Sequence, residues 1–343
     1  MRIVSASART LGVTLLSAGL LAGCSGSGQQ TGPIPSGPAS LQSVARQFPV
    51  ITPHPLGGAT FYAPAALRLG GGSPDDAKSA SLLYVSQFLG STVNGYAVPD
   101  TKNNPPKCQI SSVSSVLGIG VNAAHDVYVP NAGTRTLNVY GPNCGTLLKS
   151  VAIPGGIQDS DVAFNEKTKT AYVDLTTPAE VLPIKYAASS FGKALVCAAI
   201  ANSFDVAVDA KGNVYQGGIT SASAPILAVW TGGKGACRTL KVTGLNFPVG
   251  LAFDAKSNLI VTDIGAGVLI YKPPYNGAPT RTITPKGEAP YSALDATGTN
   301  LYVANLTAGS VDVYKYATGT YTYSITNGLV QGNQPWGVAI DPP

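Results

Sequence analysis

The sequence predicts an all-β fold, a six-bladed β-propeller closed by pairing a C-terminal strand with the N-terminal blade. Three observations predict it: a repeat of 41 to 46 residues, alternating apolar residues within each repeat, and a half-repeat at the end of the chain. The composition agrees, because 40 Gly and 26 Pro with only 11% charged residues suit short strands and tight turns.

The repeat is defined by the polar residue that ends the first short strand of each unit. Alternating apolar residues precede it, as in Val206-Ala-Val-Asp209, and a turn and a second strand follow. Its six members are Asn122, Asn165, Asp209, Asp254, Asp295 and Asp341. The second strands are led at a similar spacing by Tyr84, Tyr128, Tyr172, Tyr215, Ile260 and Tyr302. A third and a fourth strand follow in most units, which indicates four-stranded propeller blades.

The ring is predicted to close through its two termini. The strand led by Tyr84 has no first strand before it, and residues 336 to 341 supply one at the C-terminus. Pairing of these segments would remove the open edge that a ring of blades otherwise carries. In the third blade Pro183 is expected to interrupt the third strand, because proline lacks the backbone donor.

The first residues are predicted to form a lipoprotein signal peptide, residues 1–23. Arg2 and Arg9 precede a short apolar run, and Leu21-Ala-Gly-Cys24 resembles the lipobox of bacterial lipoproteins. The resemblance implies cleavage before Cys24 and lipidation of its sulfur. It also implies an exported location in the bacterial cell envelope, anchored to the membrane on its periplasmic or extracellular face, and Ser25 favours the outer membrane. The alternative is an ordinary signal peptide with a chance cysteine.

The remaining domain boundaries follow from composition. Residues 24–45 comprise the lipidated cysteine and a flexible tether rich in Ser, Gly, Gln and Pro. Residues 46–80 form a pre-propeller segment to which no regular structure is assigned. Residues 81–343 form the propeller.

The repeats from Leu82 to Pro343 carry a resemblance to a known family, which two segments illustrate. Phe247 to Asp263 and Gln334 to Pro343 resemble NHL repeats and the six-bladed propellers of the SMP-30/gluconolactonase type. Lactonases of this type hold a divalent ion at the pore with Glu, Asn and Asp, so the resemblance implies Ca²⁺ or Mg²⁺ as a candidate cofactor. That ligand set does not match this chain residue by residue. The resemblance is specific for fold, because the matching residues make strands and turns.

Charge and histidine content exclude several functions. The net charge of +5 falls by two when Arg2 and Arg9 leave with the signal peptide, and no window holds a run of Lys or Arg. Nucleic-acid binding is therefore not expected. The two histidines are His54 and His125, and His125 is expected on the face opposite the usual propeller site, which argues against His-dependent hydrolysis or zinc binding.

The candidate site is a ring of residues that lie four positions before each strand-ending residue. The ring comprises Gly118, Asp161, Asp205, Gly250, Tyr291 and Gly337. Asp161 and Asp205 thus bring two carboxylates to the pore mouth, where they are candidate ligands of Ca²⁺ or Mg²⁺. Further candidate ligand-binding residues at the same mouth are Asn131, Asp263 and Asn305 at second-strand ends, with Tyr291 and Trp336 as rings that could stack on a flat ligand.

Each candidate also has a structural interpretation. The carboxylates could cap strands and accept hydrogen bonds from loop amides, Asp263 and Asn305 could form turns, and the two rings could pack between blades. Four cysteines of the propeller fall in consecutive blades: Cys108, Cys144, Cys197 and Cys237. Adjacency suggests disulfides joining Cys108 to Cys144 and Cys197 to Cys237, and buried free thiols are the alternative.

The leading hypothesis is an envelope-anchored binding or interaction module that is not an enzyme. Its partner would be a protein, peptide or glycan that contacts the loops at the pore mouth. The rival hypothesis is a divalent-metal-dependent hydrolase of the SMP-30/gluconolactonase type centred on Asp161 and Asp205. The two are distinguished by whether these carboxylates are bare or engaged by backbone amides.

Overall fold

The computed structural model describes residues 81–155 and 159–341. The predicted signal peptide, Cys24, the tether, residues 46–80 and His54 lie outside the described residues. Within the described ranges, no helix has the length and apolar character needed to cross a membrane.

The chain forms six four-stranded antiparallel sheets, each of which is one blade of a six-bladed β-propeller. Blade 1 consists of β1 (Leu82–Gln87), β2 (Thr92–Ala97), β3 (Cys108–Ser111) and, from the far end of the chain, β26 (Pro335–Ile340). Blade 2 consists of β4 (Gly120–Val121), β5 (Val127–Asn131), β6 (Thr136–Tyr140) and β7 (Leu147–Ala152). Blade 3 consists of β8 (Asp159–Asn165), β9 (Thr170–Leu175), β10 (Glu180–Lys185) and β11 (Leu195–Val196).

The second half of the ring follows the same plan. Blade 4 consists of β12 (Asn202–Val208), β13 (Val214–Ile219), β14 (Pro225–Trp230) and β15 (Arg238–Thr239). Blade 5 consists of β17 (Pro248–Phe253), β18 (Leu259–Asp263), β19 (Gly267–Tyr271) and β21 (Arg281–Ile283), flanked by a short parallel pair of β16 (Lys241–Val242) and β20 (Asn276–Gly277). Blade 6 consists of β22 (Ser292–Leu294), β23 (Asn300–Asn305), β24 (Ser310–Lys315) and β25 (Thr320–Ile325). Two 3-10 turns occupy Thr231–Gly233 and Gln331–Asn333.

The predicted closure of the ring is confirmed. Strand β26 pairs antiparallel with β1, with Tyr84 opposite Ala339. Past the last strand, the Ser81 hydroxyl donates to the Asp341 carbonyl at 2.7 Å, and His125 Nδ1 lies 2.7 Å from Asp341 Oδ1. Because His125 belongs to blade 2, the last described residue of the chain is fastened to two blades at once.

The polar residues that end the first strands accept hydrogen bonds from the turn that follows, which explains why they recur in each repeat. Asp209 Oδ1 accepts hydrogen bonds from the backbone amides of Lys211 and Asn213, both at 2.9 Å. Asp254 repeats the arrangement in blade 5, and in blade 6 Asp295 accepts the Thr297 hydroxyl and the Thr299 and Asn300 amides. An Asx turn therefore fixes the first hairpin of blades 4 and 5, and side-chain hydrogen bonds of Asp295 fix that of blade 6.

Neighbouring blades are joined in different ways. Disulfides link blades 1 and 2 through Cys108 and Cys144 and blades 3 and 4 through Cys197 and Cys237, with Cα atoms 5.8 and 5.6 Å apart. These are the pairs that adjacency suggests. Two further joints, between blades 2 and 3 and between blades 4 and 5, are each filled by three aromatic rings, which we call the aromatic triads. The first triad consists of Tyr128, Phe164 and Tyr186, and the second of Tyr215, Phe253 and Tyr275.

Proline at position 183 does not interrupt its strand, and the prediction that it would is wrong. Strand β10 continues through Pro183, which lies opposite Tyr172 of β9. The fourth strand, β11, pairs only with Glu180 and Val181 and so ends before it reaches the proline. Proline is tolerated where the neighbouring ladder has already stopped.

Deletion of residues 334–343 is expected to destabilise the propeller strongly, because blade 1 loses its innermost strand and the ring opens. The single change Trp336→Ala, which removes a buried ring from β26, is expected to cost about 3–5 kcal/mol, and the deletion should cost more. Chemical unfolding followed by tryptophan or circular-dichroism signals measures both. Removal of residues 342–343 alone is the control, and equal stability of the long deletion and this control would contradict closure by β26.

Candidate functional site

The ring has two faces. We call the face that carries the connections between blades and the second-to-third-strand turns the loop face, and the opposite face the turn face. The first strands contact one another around a central channel. Asp161 on β8 and Asp205 on β12 lie in this channel, in the half nearer the loop face, as their register predicts.

Bulges in the first strands turn the ring position toward the channel. The register of β8 shifts between Asp159 and Val162, and that of β12 shifts between Ser203 and Asp205. A bulge places an extra residue on one strand and re-aims the side chain beside it. In β26 the ring position is Gly337, where a Cβ atom would lie 2.2 Å from the Leu117 carbonyl, so no side chain fits there.

Asp161 and Asp205 contact each other and are also engaged by backbone amides. Asp205 accepts hydrogen bonds from the amide of Val206 and, across the blade boundary, from that of Leu251. Asp161 interacts with the Val162 amide and with Asp205. The side chains are 8% and 1% exposed, respectively. The carboxyl groups therefore both converge on the channel and take part in the hydrogen bonding of its walls.

Burial governs the ionisation of this pair. It raises the pKa of Asp161 from 3.8 to about 7, although hydrogen bonds from Asp205 and the Val162 amide oppose the shift. Burial together with the charges of Asp161 and Asp174 raises the pKa of Asp205 well above its usual range. Two close carboxyl groups in a low-dielectric site do not both ionise readily. The pair therefore retains a proton near neutral pH.

A cluster of buried aromatic rings, which we call the aromatic plug, lies on the loop-face side of the two carboxyl groups. It consists of Phe88, Phe204, Phe247, Tyr291 and Trp336, all buried in one core cluster. Tyr291 of blade 6 reaches across the channel and donates its hydroxyl to the Phe204 carbonyl of blade 4. Phe88 packs on Trp336 with ring centroids 5.6 Å apart. Tyr291 and Trp336 are 4% and 7% exposed, so neither offers a free ring face to a ligand on this side.

Behind the plug the channel is open toward the turn face. Its cavity measures about 420 Å³ and reaches Ala123 and Glu166 at the rim. Small and aliphatic residues of the first strands form most of its wall, and Asp161 and Asp205 lie at its inner end. Water or a small ligand would therefore reach the two carboxyl groups from the turn face.

The three other candidate polar residues form hydrogen bonds within or next to their own blades. Asn131 Oδ1 accepts the Ser114 amide at 3.2 Å. Asp263 Oδ2 accepts the Asn246 and Phe247 amides at 2.8 and 3.0 Å. Asn305 Nδ2 donates to Asp312 at 2.8 Å, and its Oδ1 accepts the Ala308 amide at 3.0 Å. These hydrogen bonds are those of the structural interpretation, and none of them leads to Asp161 or Asp205.

Sequence reasoning missed Asp174 and Gln216. Asp174 on β9 is fully buried, accepts a hydrogen bond from Gln216 Nε2 at 2.7 Å, and adds its charge to the field at Asp161 and Asp205. The signal was present, because Asp174 is a charged residue inside an otherwise apolar second strand. Among the described residues, no group of three or more His, Cys, Asp or Glu side chains is arranged to hold a metal ion.

Comparison with known proteins supports the fold and leaves the activity open. No protein-family model matches the chain, and no curated protein matches it. The propeller is similar to a chain in the crystal structure of a nidogen/laminin complex, with a TM-score of 0.63 and 16% sequence identity. The match covers 76% of this chain and 98% of that one. In all, 1162 chains of solved structures match, so a likeness of this kind does not select one function.

The wild type is expected to lose stability as the pH rises from about 4 to about 7, and Asp161→Asn is expected to lose less over this range. A carboxyl group whose pKa is raised on folding favours the folded state when protonated, so the folded state is penalised as the pH rises through this window. The effect should be on the order of a few kcal/mol. Urea unfolding of both proteins across this pH range measures it.

Asp254→Asn is the matched control, because the pH dependence of stability that Asp254 causes has the opposite sign. Although burial opposes it, hydrogen bonds from Asn258, Tyr316 and the Lys256 amide lower the pKa of Asp254, so this group stabilises the fold above its unfolded-state pKa and loses that effect in acid. Its replacement should therefore cost most near neutral pH. A stability difference between wild type and Asp161→Asn that does not vary with pH would contradict a shared proton in the channel.

Proposed function

We propose that the protein is an interaction module of the bacterial cell envelope, not an enzyme, that presents the loop face of a six-bladed propeller to a protein or peptide partner. The observation that carries the proposal is the aromatic plug. Among the described residues, it packs buried rings between the loop face and the carboxyl pair of Asp161 and Asp205.

Two exposed aliphatic side chains lie beside the plug. Leu89 and Val330 are 55% and 52% exposed. Their segments are tied together, since Val330 donates its amide to Gln87 Oε1 at 3.1 Å and Phe88 donates its amide to the Gln334 carbonyl at 3.0 Å. Rigid exposed apolar groups beside a closed surface favour a protein or peptide over a glycan, since sugars stack on accessible aromatic rings.

The proposed location follows from the N-terminal segment. The lipobox at Leu21 to Cys24 supports lipidation of Cys24 and anchoring to the membrane, and residues 24–45 would then hold the propeller away from the lipid surface. Both disulfides fit an oxidising compartment. The similar propeller occurs in a nidogen/laminin complex, which illustrates that this fold takes part in complexes between proteins.

The double change Leu89→Ser with Val330→Ser is expected to abolish partner capture by the full-length protein in its native envelope, because it removes the exposed apolar groups without touching the core. Chemical crosslinking followed by affinity recovery measures capture. Leu147→Ser with Leu148→Ser is the matched control, since these residues are similarly exposed on β7 at the outer edge of blade 2.

Equal recovery by the two double variants would contradict the use of the loop face. So would recovery of nothing above a control that carries only residues 1–45 fused to an unrelated soluble domain.

The second candidate is a divalent-metal-dependent hydrolase of the SMP-30/gluconolactonase type, favoured by the convergence of Asp161 and Asp205 at the inner end of an open channel. Ca²⁺ or Mg²⁺ would require both carboxylates to ionise and to release the amides of Val206 and Leu251. These competing bonds favour the interaction module.

Calcium titration separates the two candidates. We expect no rise in the midpoint of thermal unfolding with increasing CaCl₂, because the carboxyl pair is occupied by backbone amides and a shared proton. A rise that disappears in Asp161→Ala with Asp205→Ala would favour the hydrolase. The same rise in wild type and double variant would indicate cation binding elsewhere.

A further inference from the structure

The joint between blades 5 and 6 lacks the aromatic triad found at two other joints. The triads between blades 2 and 3 and between blades 4 and 5 place three ring centroids 4.9 to 6.1 Å apart. In the register of the repeat, Ile260 and Leu294 replace two of these rings in blades 5 and 6, and Tyr316 provides the third. Two large side chains are thus exchanged for smaller ones.

A cavity of about 560 Å³ lies at this joint, on the turn face. Its wall includes Leu294 at one of the replaced positions, together with Ile270, Thr280 and Tyr316. The volume is that of a site for a small molecule. The loss of aromatic packing explains why this joint is hollow where its counterparts are filled.

Three cationic side chains surround the cavity: Lys256, Lys272 and Arg281. Within residues 81–155 and 159–341, none of them forms a salt bridge. The one carboxylate in the wall, Asp254, is already engaged. It accepts the amides of Lys256 and Asn258 at 2.9 and 2.8 Å, the Asn258 side chain at 2.7 Å, and the Tyr316 hydroxyl at 3.0 Å. The cavity is therefore cationic, with donors in excess.

Arg281 is held in place before any ligand arrives. Its guanidinium carbon lies 4.5 Å from the centroid of the Tyr316 ring, and one of its nitrogens donates to the Tyr316 carbonyl. A guanidinium group has five N–H donors in a planar fork, so several remain for an anion. At the joint between blades 2 and 3, Lys149 donates to the Tyr186 and Ala188 carbonyls instead, beside an aromatic triad.

We propose that the cleft between blades 5 and 6 binds a phosphate group, carried either by a small soluble molecule or by a lipid headgroup. A preorganised arginine fork with two flexible lysines suits an anion that has several acceptor oxygens and more than one negative charge. The cleft lies on the turn face, so the proposal is independent of the partner-binding loop face.

Isothermal titration of the full-length protein in detergent micelles tests the cleft with two probes, glycerol 3-phosphate and dihexanoyl phosphatidylglycerol below its micelle concentration. At constant ionic strength, Arg281→Gln is expected to weaken binding at least tenfold, and Arg281→Lys less, because lysine keeps the charge and loses the fork. Lys211→Gln is the matched control, since it removes the same charge from an exposed position on the turn face of blade 4.

Leu294→Phe provides a variant that closes the cleft without removing a charge. It restores the ring found at the equivalent positions 164 and 253, so it should abolish binding while the unfolding temperature stays equal or rises. Loss of binding in this variant separates occupation of the cleft from general attraction to a basic face.

The relative affinity of the two probes identifies the source of the phosphate. Tighter binding of glycerol 3-phosphate indicates a soluble phosphomonoester, and tighter binding of the lipid indicates a headgroup, provided that Arg281→Gln weakens this binding and Leu294→Phe abolishes it. Failure of wild type to bind either probe, equal weakening by Lys211→Gln and Arg281→Gln, or unchanged binding by Leu294→Phe would each overturn the proposal.

Discussion

The whole ring depends on one antiparallel pairing, that of β26 with β1. A propeller blade is stable only between two neighbours, because its two faces are apolar and must both be covered. Without β26, blade 1 would lose its channel-facing strand, and blades 2 and 6 would each lose a partner. The contacts of Asp341 with Ser81 and His125 connect the end of this strand to blades 1 and 2.

Closure fixes the blades in a circle, and the joints between them then decide where a ligand can enter. Disulfides and aromatic triads fill four consecutive joints. Between blades 6 and 1, Asn103 bonds the amides of Thr326 and Asn327. At the joint of blades 5 and 6, smaller residues and a stacked arginine line a cavity of about 560 Å³. Small differences between repeats thus create local sites on a uniform scaffold.

The centre of the ring is occupied by the aromatic plug and the carboxyl pair of Asp161 and Asp205. The aromatic plug lies above the carboxyl pair, which is buried, retains a proton and bonds the strands that surround it. The pair therefore forms part of the channel wall, where it accepts hydrogen bonds from the Val206 and Leu251 amides. Beside the plug the exposed side chains of Leu89 and Val330 form the surface to which we assign the proposed partner.

The sequence by itself determined the fold, because turn-forming residues such as Asp209 and Asp254 recur at the repeat length and because the half-repeat at residues 334–341 had a single missing partner. It also placed Asp161 and Asp205 side by side, since equivalent positions of neighbouring blades meet at the axis. Only the tertiary structure decided their environment. Bulges turn both carboxyls inward, Tyr291 crosses the channel above them, and Asp174 approaches from a second strand. These contacts join residues from different blades, and spacing along the chain does not encode which side chains fill the space between them.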